Sequence, residues 1–444
     1  MTKHYIYTSK SLSSIRSSPR ASAHRNMYMR HCFSVVKDEP LLYRFNVGAL
    51  RSPQDDRTGL ETAMNRVTIC AAIAILALSS WGCADKSFKY YKLGIAAAER
   101  EDYENAIGYW RESLKHRSAD PETRYNIGLA LLNLERYTEA EVEFRKALEH
   151  SDGDHEILYG LGKSIEMQGK ITEAKNLYER SVNLKPNFAP AHLGLASISL
   201  ETGQYRSAEN HAATVLRLEP SNLEGNKLLA EALYRQSNYR EAYAQLQSAR
   251  NIDPLDAGLH LLIGKVAYAR HMYRDAYDAL TRARSLGASN ADLFLFLGLS
   301  LLNLENLDDA ETNFKLALFK DGEETKALQG LGRIYTKRKE WDKALDAFER
   351  ALELDPRDSA SILGVSFVMM NTGRFDEAVA RLEGLRSRPD PPPMTFYYLG
   401  HAYMRAELLD RAAESFKTFM GVWDGDARLL EEAGSIVQSL GNRP

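Results

Sequence analysis

The sequence predicts an all-α solenoid of ten helix–turn–helix units, each 34 residues long, closed by a C-terminal capping helix. Three observations predict it. A small residue recurs at Gly94, Gly128, Gly162, Ala196, Ala230, Gly264, Gly298, Gly332, Ser366 and Gly400, every step being 34. Alanine stands twelve residues after each of these without exception, from Ala106 and Ala140 through to Ala378 and Ala412. Proline recurs at Pro186, Pro220, Pro254 and Pro356, where a missing N–H ends one helix and a fixed φ helps start the next. A fixed period of this length marks a stacked array, in which each unit buries its apolar face against its neighbours.

The first segments of the chain carry a different pattern. Residues 1–63 have no sustained apolar period and are rich in Ser and Arg, as in SKSLSSIRSSPRASAHR at 9–25. They are expected to be disordered or not translated, with Met64 as the true start. The Arg-rich, acid-poor first half also fits a mitochondrial transit peptide. From Met64 the chain reads Met64-Asn65-Arg66, then an apolar run from Val67 to Leu78, then small residues up to Cys83. Basic start, apolar core and cleavage region are the parts of a secretory signal, and the run is too short for a bilayer span of about 20 residues. With Gly82 directly before Cys83, residues 64–83 resemble a bacterial lipoprotein signal peptide. The resemblance implies lipidation of the Cys83 thiol, cleavage before it and, with Ala84 following, an outer-membrane protein facing the periplasm. Such signals favour Leu and a small residue where this chain has Ser80 and Trp81, and cleavage without lipid is the competing reading.

Within the ten units, residues 87–426, large side chains recur at the turn (Tyr103, Tyr137, Tyr205, Trp341, Phe375) and again in the second helix. The second set is Trp110, Phe144, Tyr178, Leu246, Leu280, Phe314, Phe348, Leu382 and Phe416. Small residues let paired helices approach while large ones fill the space beside them. Asp120-Pro121 reads as an N-cap followed by proline at the first helical position. These columns resemble the tetratricopeptide repeat, with Leu-Gly in the first helix, an aromatic at the turn, the fixed alanine, an aromatic four residues on and a terminal proline. Residues 427–444 continue the register as a capping helix and tail, with Gly434 in the small-residue column and Arg428, Glu431, Glu432 and Gln438 turned outward.

The resemblance implies a right-handed superhelix whose first helices line a groove that holds extended or helical segments of other proteins. The family's groove columns fall on Tyr91, Ile95, Tyr125, Leu129, Leu132, Tyr159, Leu193, Leu200, Leu261, Tyr268, Leu295, Leu299, Leu302, Leu363, Phe367, Met370, Tyr397, His401 and Met404. That wall is apolar, as expected of a partner site. The eighth unit instead places Lys326, Arg333 and Lys337 in these columns, with Arg338 and Lys339 close by, which suits an acidic stretch of a partner. The family's carboxylate clamp needs Lys and Asn at fixed places. Lys227 occupies one, but Glu231 stands where the asparagine should follow.

No catalytic constellation is legible. The chain is 44% hydrophobic and 26% charged with net charge −3, and after residue 83 it holds 46 bases against 55 acids, a poor balance for nucleic acid. Three cysteines, none after Cys83, make neither a disulfide framework nor a cysteine zinc site. Gly160-Leu161-Gly162-Lys163-Ser164 faintly suggests a phosphate loop, yet Gly162 belongs to the repeat column in mid-helix. No HExxH or GxSxG occurs, and His192, His211, His260 and His271, read as residues of four different helices, are expected on the surface or in the groove. The expectation is a non-catalytic scaffold without cofactor, metal or small-molecule substrate, anchored in the bacterial envelope and serving assembly, secretion, or pilus or polysaccharide export. A soluble intracellular scaffold, or the regulatory subunit of an enzyme complex, is the alternative.

Overall fold

A computed structural model describes residues 86–151, 153–321 and 324–441. The signal segment, Cys83 and residues 1–63 lie outside the described residues. The chain divides into two parts, residues 1–202 and 203–444, the division falling in the turn inside the fourth 34-residue unit. In the first part the helices are α1 (86–98), α2 (Tyr103–His116), α3 (Pro121–Asn133), α4 (Tyr137–Leu148), α5 (His155–Glu166), α6 (Ile171–Leu184) and α7 (Ala189–Glu201). In the second they are α8 (Tyr205–Leu218), α9 (Leu223–Arg235), α10 (Tyr239–Ile252), α11 (Ala257–Ala269), α12 (Tyr273–Ser285), α13 (Ala291–Asn303) and α14 (Leu307–Lys320). There follow α15 (Thr325–Lys337), α16 (Trp341–Leu354), α17 (Ser359–Asn371), α18 (Phe375–Arg386), α19 (Pro393–Arg405), α20 (Leu409–Val422) and the cap α21 (Ala427–Gly441). Among the described residues there is no strand, and no helix is long and apolar enough to cross a membrane.

Each first helix ends in the same way. The residue seven places after the small-residue column takes a left-handed φ near +60° to +80°: Glu101, Glu135 and Gly169 in the first part, and Gly203, Ser237, His271, Glu305, Lys339, Gly373 and Glu407 in the second. The next N–H then reaches back over the helix end, as Arg136 N to Leu131 O (2.9 Å) and Asn306 N to Leu301 O (2.9 Å). This satisfies two orphan carbonyls and reverses the chain, and only glycine adopts the required φ without a steric cost.

Second helices end differently. Their C-cap residues Lys185, Glu219, Asp253 and Asp355 take the extended or near-extended backbone that a following proline favours, and Arg117 and Asp321 take the same backbone without one. The proline then occupies the second place of a tight turn, closed by Phe188 N to Lys185 O (3.1 Å) and Asp358 N to Asp355 O (3.1 Å). The prolines therefore stop helices as expected, but they lie in the turn and outside the next helix, which begins after its own cap. Asp154, Asn222, Asp256, Asn290 and Asp358 cap first helices with their side chains. Asp120 and Pro121 stand at N-cap and N1 of α3, with Thr123 hydrogen-bonded to the Asp120 carboxylate.

All ten alanines of the fixed column are fully buried. The aromatic four residues further on fits a gap that glycine leaves. A Cβ on Gly128 or on Gly160 would lie 2.6 Å from the Phe144 ring, and one on Gly298 or Gly330 would lie 2.7 or 2.3 Å from the Phe314 ring. Phe348 lies in the same way between Gly332 and Gly364. One glycine belongs to the ring's own unit and the other, two places before the small-residue column, to the next. Where the second-helix residue is smaller, the next unit supplies bulk at that place: Leu228 after Ala212, Leu262 after Leu246, Phe296 after Leu280 and Tyr398 after Leu382. Adjacent units thus exchange volume across these junctions, as close packing requires.

Within each part every helix packs on the next, and first helices also touch first helices of the neighbouring unit, as α3 on α5, α13 on α15 and α15 on α17. Second helices of neighbouring units make no comparable contact. Within each part the contacts between units therefore run along the first helices as well as between paired helices. The cap α21 packs on α20 with Ala433 fully buried, while Arg428, Glu431, Glu432 and Gln438 are exposed.

Candidate partner-binding faces

On the inner wall of the first part, Tyr91, Ile95, Tyr125, Leu129, Leu132, Tyr159, Leu193 and Leu200 are half-buried. Each keeps one side in the stack and offers the other to solvent. Tyr91 donates its hydroxyl to Glu122 Oε1 (2.7 Å) and accepts from Asn126 Nδ2 (3.2 Å). Burial, then the adjacent Glu122 carboxylate, hold this phenol far above its ordinary range. Tyr159 lies between Tyr178 (5.5 Å) and Phe188 (5.6 Å, edge-on), so its ring is fixed before any partner arrives.

In the second part Leu261, Tyr268, Leu299, Leu363, Phe367, Met370, His401 and Met404 are half-buried. Three expected members of this wall are not surface residues. Leu295 (3% exposed) and Leu302 (1%) lie in the central apolar cluster, because α13 is apolar on all sides and is packed between neighbours on both. Tyr397 (8%) is enclosed by His401 (4.6 Å), Phe419 (5.1 Å) and Phe416 (6.0 Å). Glu432 of the cap is its neighbouring carboxylate. Burial first, then Glu432, push this phenol up to about 12. His401 lies 3.9 Å from the same Glu432, and its burial outweighs that carboxylate and lowers its pKa. The tenth unit's wall is thus spent on holding α21.

The basic cluster of the eighth unit divides. Lys337 is paired with Glu305 (2.8 Å), and Arg338 turns away to bind Asp308 and Glu311. Although burial raises it, the Glu311 carboxyl is held down at about 2 by hydrogen bonds from Lys315, Arg338 and Tyr335. Lys339 occupies the left-handed turn. Lys326 and Arg333 remain exposed on α15. Lys227, the lone clamp-like lysine, is engaged by Asp256 (3.3 Å) and Glu224 (3.4 Å), while Glu231 pairs with Arg235 (3.5 Å).

Gly160 to Ser164 lie inside α5, where Ser164 Oγ donates to Leu161 O (2.7 Å) and Lys163 pairs with Glu166 (2.8 Å), so no phosphate cradle exists. Among the described residues no three His, Cys, Asp or Glu side chains are gathered as metal ligands would be. Two histidines depart from expectation: His192 and His260 are buried, each 2.9 Å from the carbonyl of the preceding turn proline, Pro186 or Pro254. They fasten helix starts to turns. His271 lies in the left-handed turn and not in a helix, beside the Tyr273 hydroxyl (2.9 Å).

Four family models match the chain. Three describe the tetratricopeptide repeat, over residues 91–155 and 261–324, 166–220, and 325–358. The fourth, for anaphase-promoting complex, cyclosome, subunit 3, covers 201–283. Over 144 residues, 31% of this chain, the sequence is 26% identical to the CTR9 homolog of Arabidopsis thaliana, of whose length it spans 13%. Among solved structures, a tetratricopeptide repeat protein from Parabacteroides merdae aligns at 15% identity and TM-score 0.44, over 57% of this chain and 99% of that one. Yeast Tom70 aligns at 17% identity and TM-score 0.39, over 80% and 95%. Period, column identities, helix pairing and matched models agree: the chain is a tetratricopeptide-repeat protein, a scaffold for protein–protein interaction.

Proposed function

We propose that this chain is a non-catalytic adaptor of the bacterial envelope, lipidated on Cys83 and facing the periplasm, which holds extended or helical segments of partner proteins against its first helices. The observation that carries the binding role is the set of half-buried apolar side chains on the first helices of each part, Tyr125 and Leu129 in one and Leu299, Phe367 and Met370 in the other. Apolar surface kept half-open along a whole row is what a partner's side chains cover. The envelope location is supported by the ordered signal-like segment from Met64 to Cys83, and the acidic balance after residue 83 argues against nucleic acid as a partner. The groups of processes that fit are envelope assembly, secretion, and pilus or polysaccharide export.

A second reading, an intracellular scaffold or regulatory subunit of an enzyme complex, is favoured by the matches to the anaphase-promoting complex subunit model and to CTR9. Intact-mass measurement of protein purified from native membranes separates the two. An N-terminus at an acylated Cys83 is expected; a mass that includes residues 1–63 would overturn the lipoprotein reading and leave a scaffold of unknown compartment. For the binding role, replacing Leu299, Phe367 and Met370 together by Ser is expected to weaken partner capture at least about tenfold, the scale of losing a small apolar hot spot, with helicity retained. Unchanged capture would move the binding face to the second helices.

A further inference from the structure

In the column of Leu299 and Phe367 the eighth unit places a cation, Arg333. Leu299, Arg333 and Phe367 stand at the same place on the successive first helices α13, α15 and α17, which touch one another. Tyr268 and Met370 extend the apolar surface on either side, and the Phe367 ring lies 5.9 Å from Tyr398. Arg333 is exposed and makes no ion pair among the described residues. Lys227 is matched by Asp256, Lys265 by Asp292 (2.8 Å) and Lys337 by Glu305, while Lys326, exposed near the start of α15, lies in a different column from Arg333. A guanidinium left open between two apolar neighbours accepts a carboxylate bidentately, and the apolar flanks keep water from that contact.

Helix spacing fixes the ligand's period. Adjacent packed helices lie about 8–10 Å apart, and an extended polyproline-II segment advances about 9 Å in the three residues that bring a side chain back to the same face. We propose that this wall binds an extended peptide segment in which an Asp or Glu is set three residues from an apolar side chain on each side, the carboxylate on Arg333 and the apolar groups on Leu299 and Phe367. The proposal rests on the first helices being the binding face.

The test is selection from a displayed library of random peptides by the purified full-length chain, repeated with Arg333→Glu and with Leu299→Ser/Phe367→Ser. The expected result is enrichment of apolar-x-x-Asp/Glu-x-x-apolar sequences that Arg333→Glu releases by about tenfold or more and replaces with Lys- or Arg-centred ones. Arg333→Gln, which keeps much of the side chain's length without its charge, is expected to abolish the acidic preference and leave the apolar one. Peptides lost with the Leu/Phe pair but indifferent to Arg333, or carrying their acid at a helical spacing of seven, would overturn the inference while keeping the face. Peptides indifferent to all these changes would overturn the face itself.

Discussion

Phe314→Ala is expected to cost about 3–5 kcal/mol of stability, the upper range for a buried aromatic. The ring is fully buried between Gly298 and Gly330, and neither glycine has a side chain that could move into the space it leaves. The cavity therefore stays open and its lining loses contacts outright. Gly330→Phe fails for the opposite reason. Its Cβ alone would meet the Phe314 ring at 2.3 Å, so the junction must spread, at about 1–3 kcal/mol or more. Joining Phe314→Leu to Gly330→Phe recreates the Leu280 and Phe296 arrangement found at the preceding junction, and the pair is expected to be more stable than Gly330→Phe alone. Urea unfolding of the two single variants and the double closes the cycle. Effects that add within about 0.5 kcal/mol would mean the two positions do not share volume.

Removing residues 427–444 is expected to have the next largest effect. Phe416 and Phe419 are fully buried, and Tyr397, Met404 and Trp423 pack in the same cluster with Leu429, Leu430, Ile436 and Val437 of the cap. Without α21 this surface meets water, so a lower melting temperature, dye binding to exposed apolar surface and loss of solubility are expected. Ala433→Glu tests the same contact in the full chain by forcing a charge into it. His401 reports the docking independently. Its burial holds its pKa below that of a free histidine despite Glu432, so the unfolded chain takes up the proton first. Stability from this contact is then present above about pH 6.5 and is lost as pH falls through that value. Histidine titration by NMR in the Ala433→Glu variant should find His401 returned upward; an unmoved pKa would mean that α21 does not enclose it.

The repeat's columns were legible because ten units give ten independent readings of each place. The alanine column, the small-residue column and the helix ends needed no three-dimensional information. What escaped was decided by neighbours. Leu295 shares its column with Tyr91 and Leu261, yet it is buried because α13 is apolar on every side; Tyr397 shares it too and is buried by the cap. A column rule averages over such differences. Arg338 sits beside the groove column in sequence, but one residue of helix turns it toward Asp308 and Glu311. His192 and His260 looked like isolated surface residues because their partner is a backbone carbonyl, which leaves no trace in residue identity. The volume exchange at the junctions was present in the sequence as a correlation between two columns of adjacent units, a signal that reading each column alone does not reveal.

That exchange makes the units a directed series in which each accepts only certain successors. Phe314 and Phe348 both demand glycine next, and both receive it, at Gly330 and Gly364. Excising residues 315–348, one whole period, would bring Phe314 to Gly364, a matched junction, and should leave a soluble and shorter array. Excising residues 349–382, an equal length, would drive Phe348 against Tyr398 and should not fold. Growth or shrinkage of such a chain by whole repeats is therefore confined to particular joints, and a lineage can gain reach along its partner only where the two units brought together share the same exchange, ring with glycine or small residue with bulk.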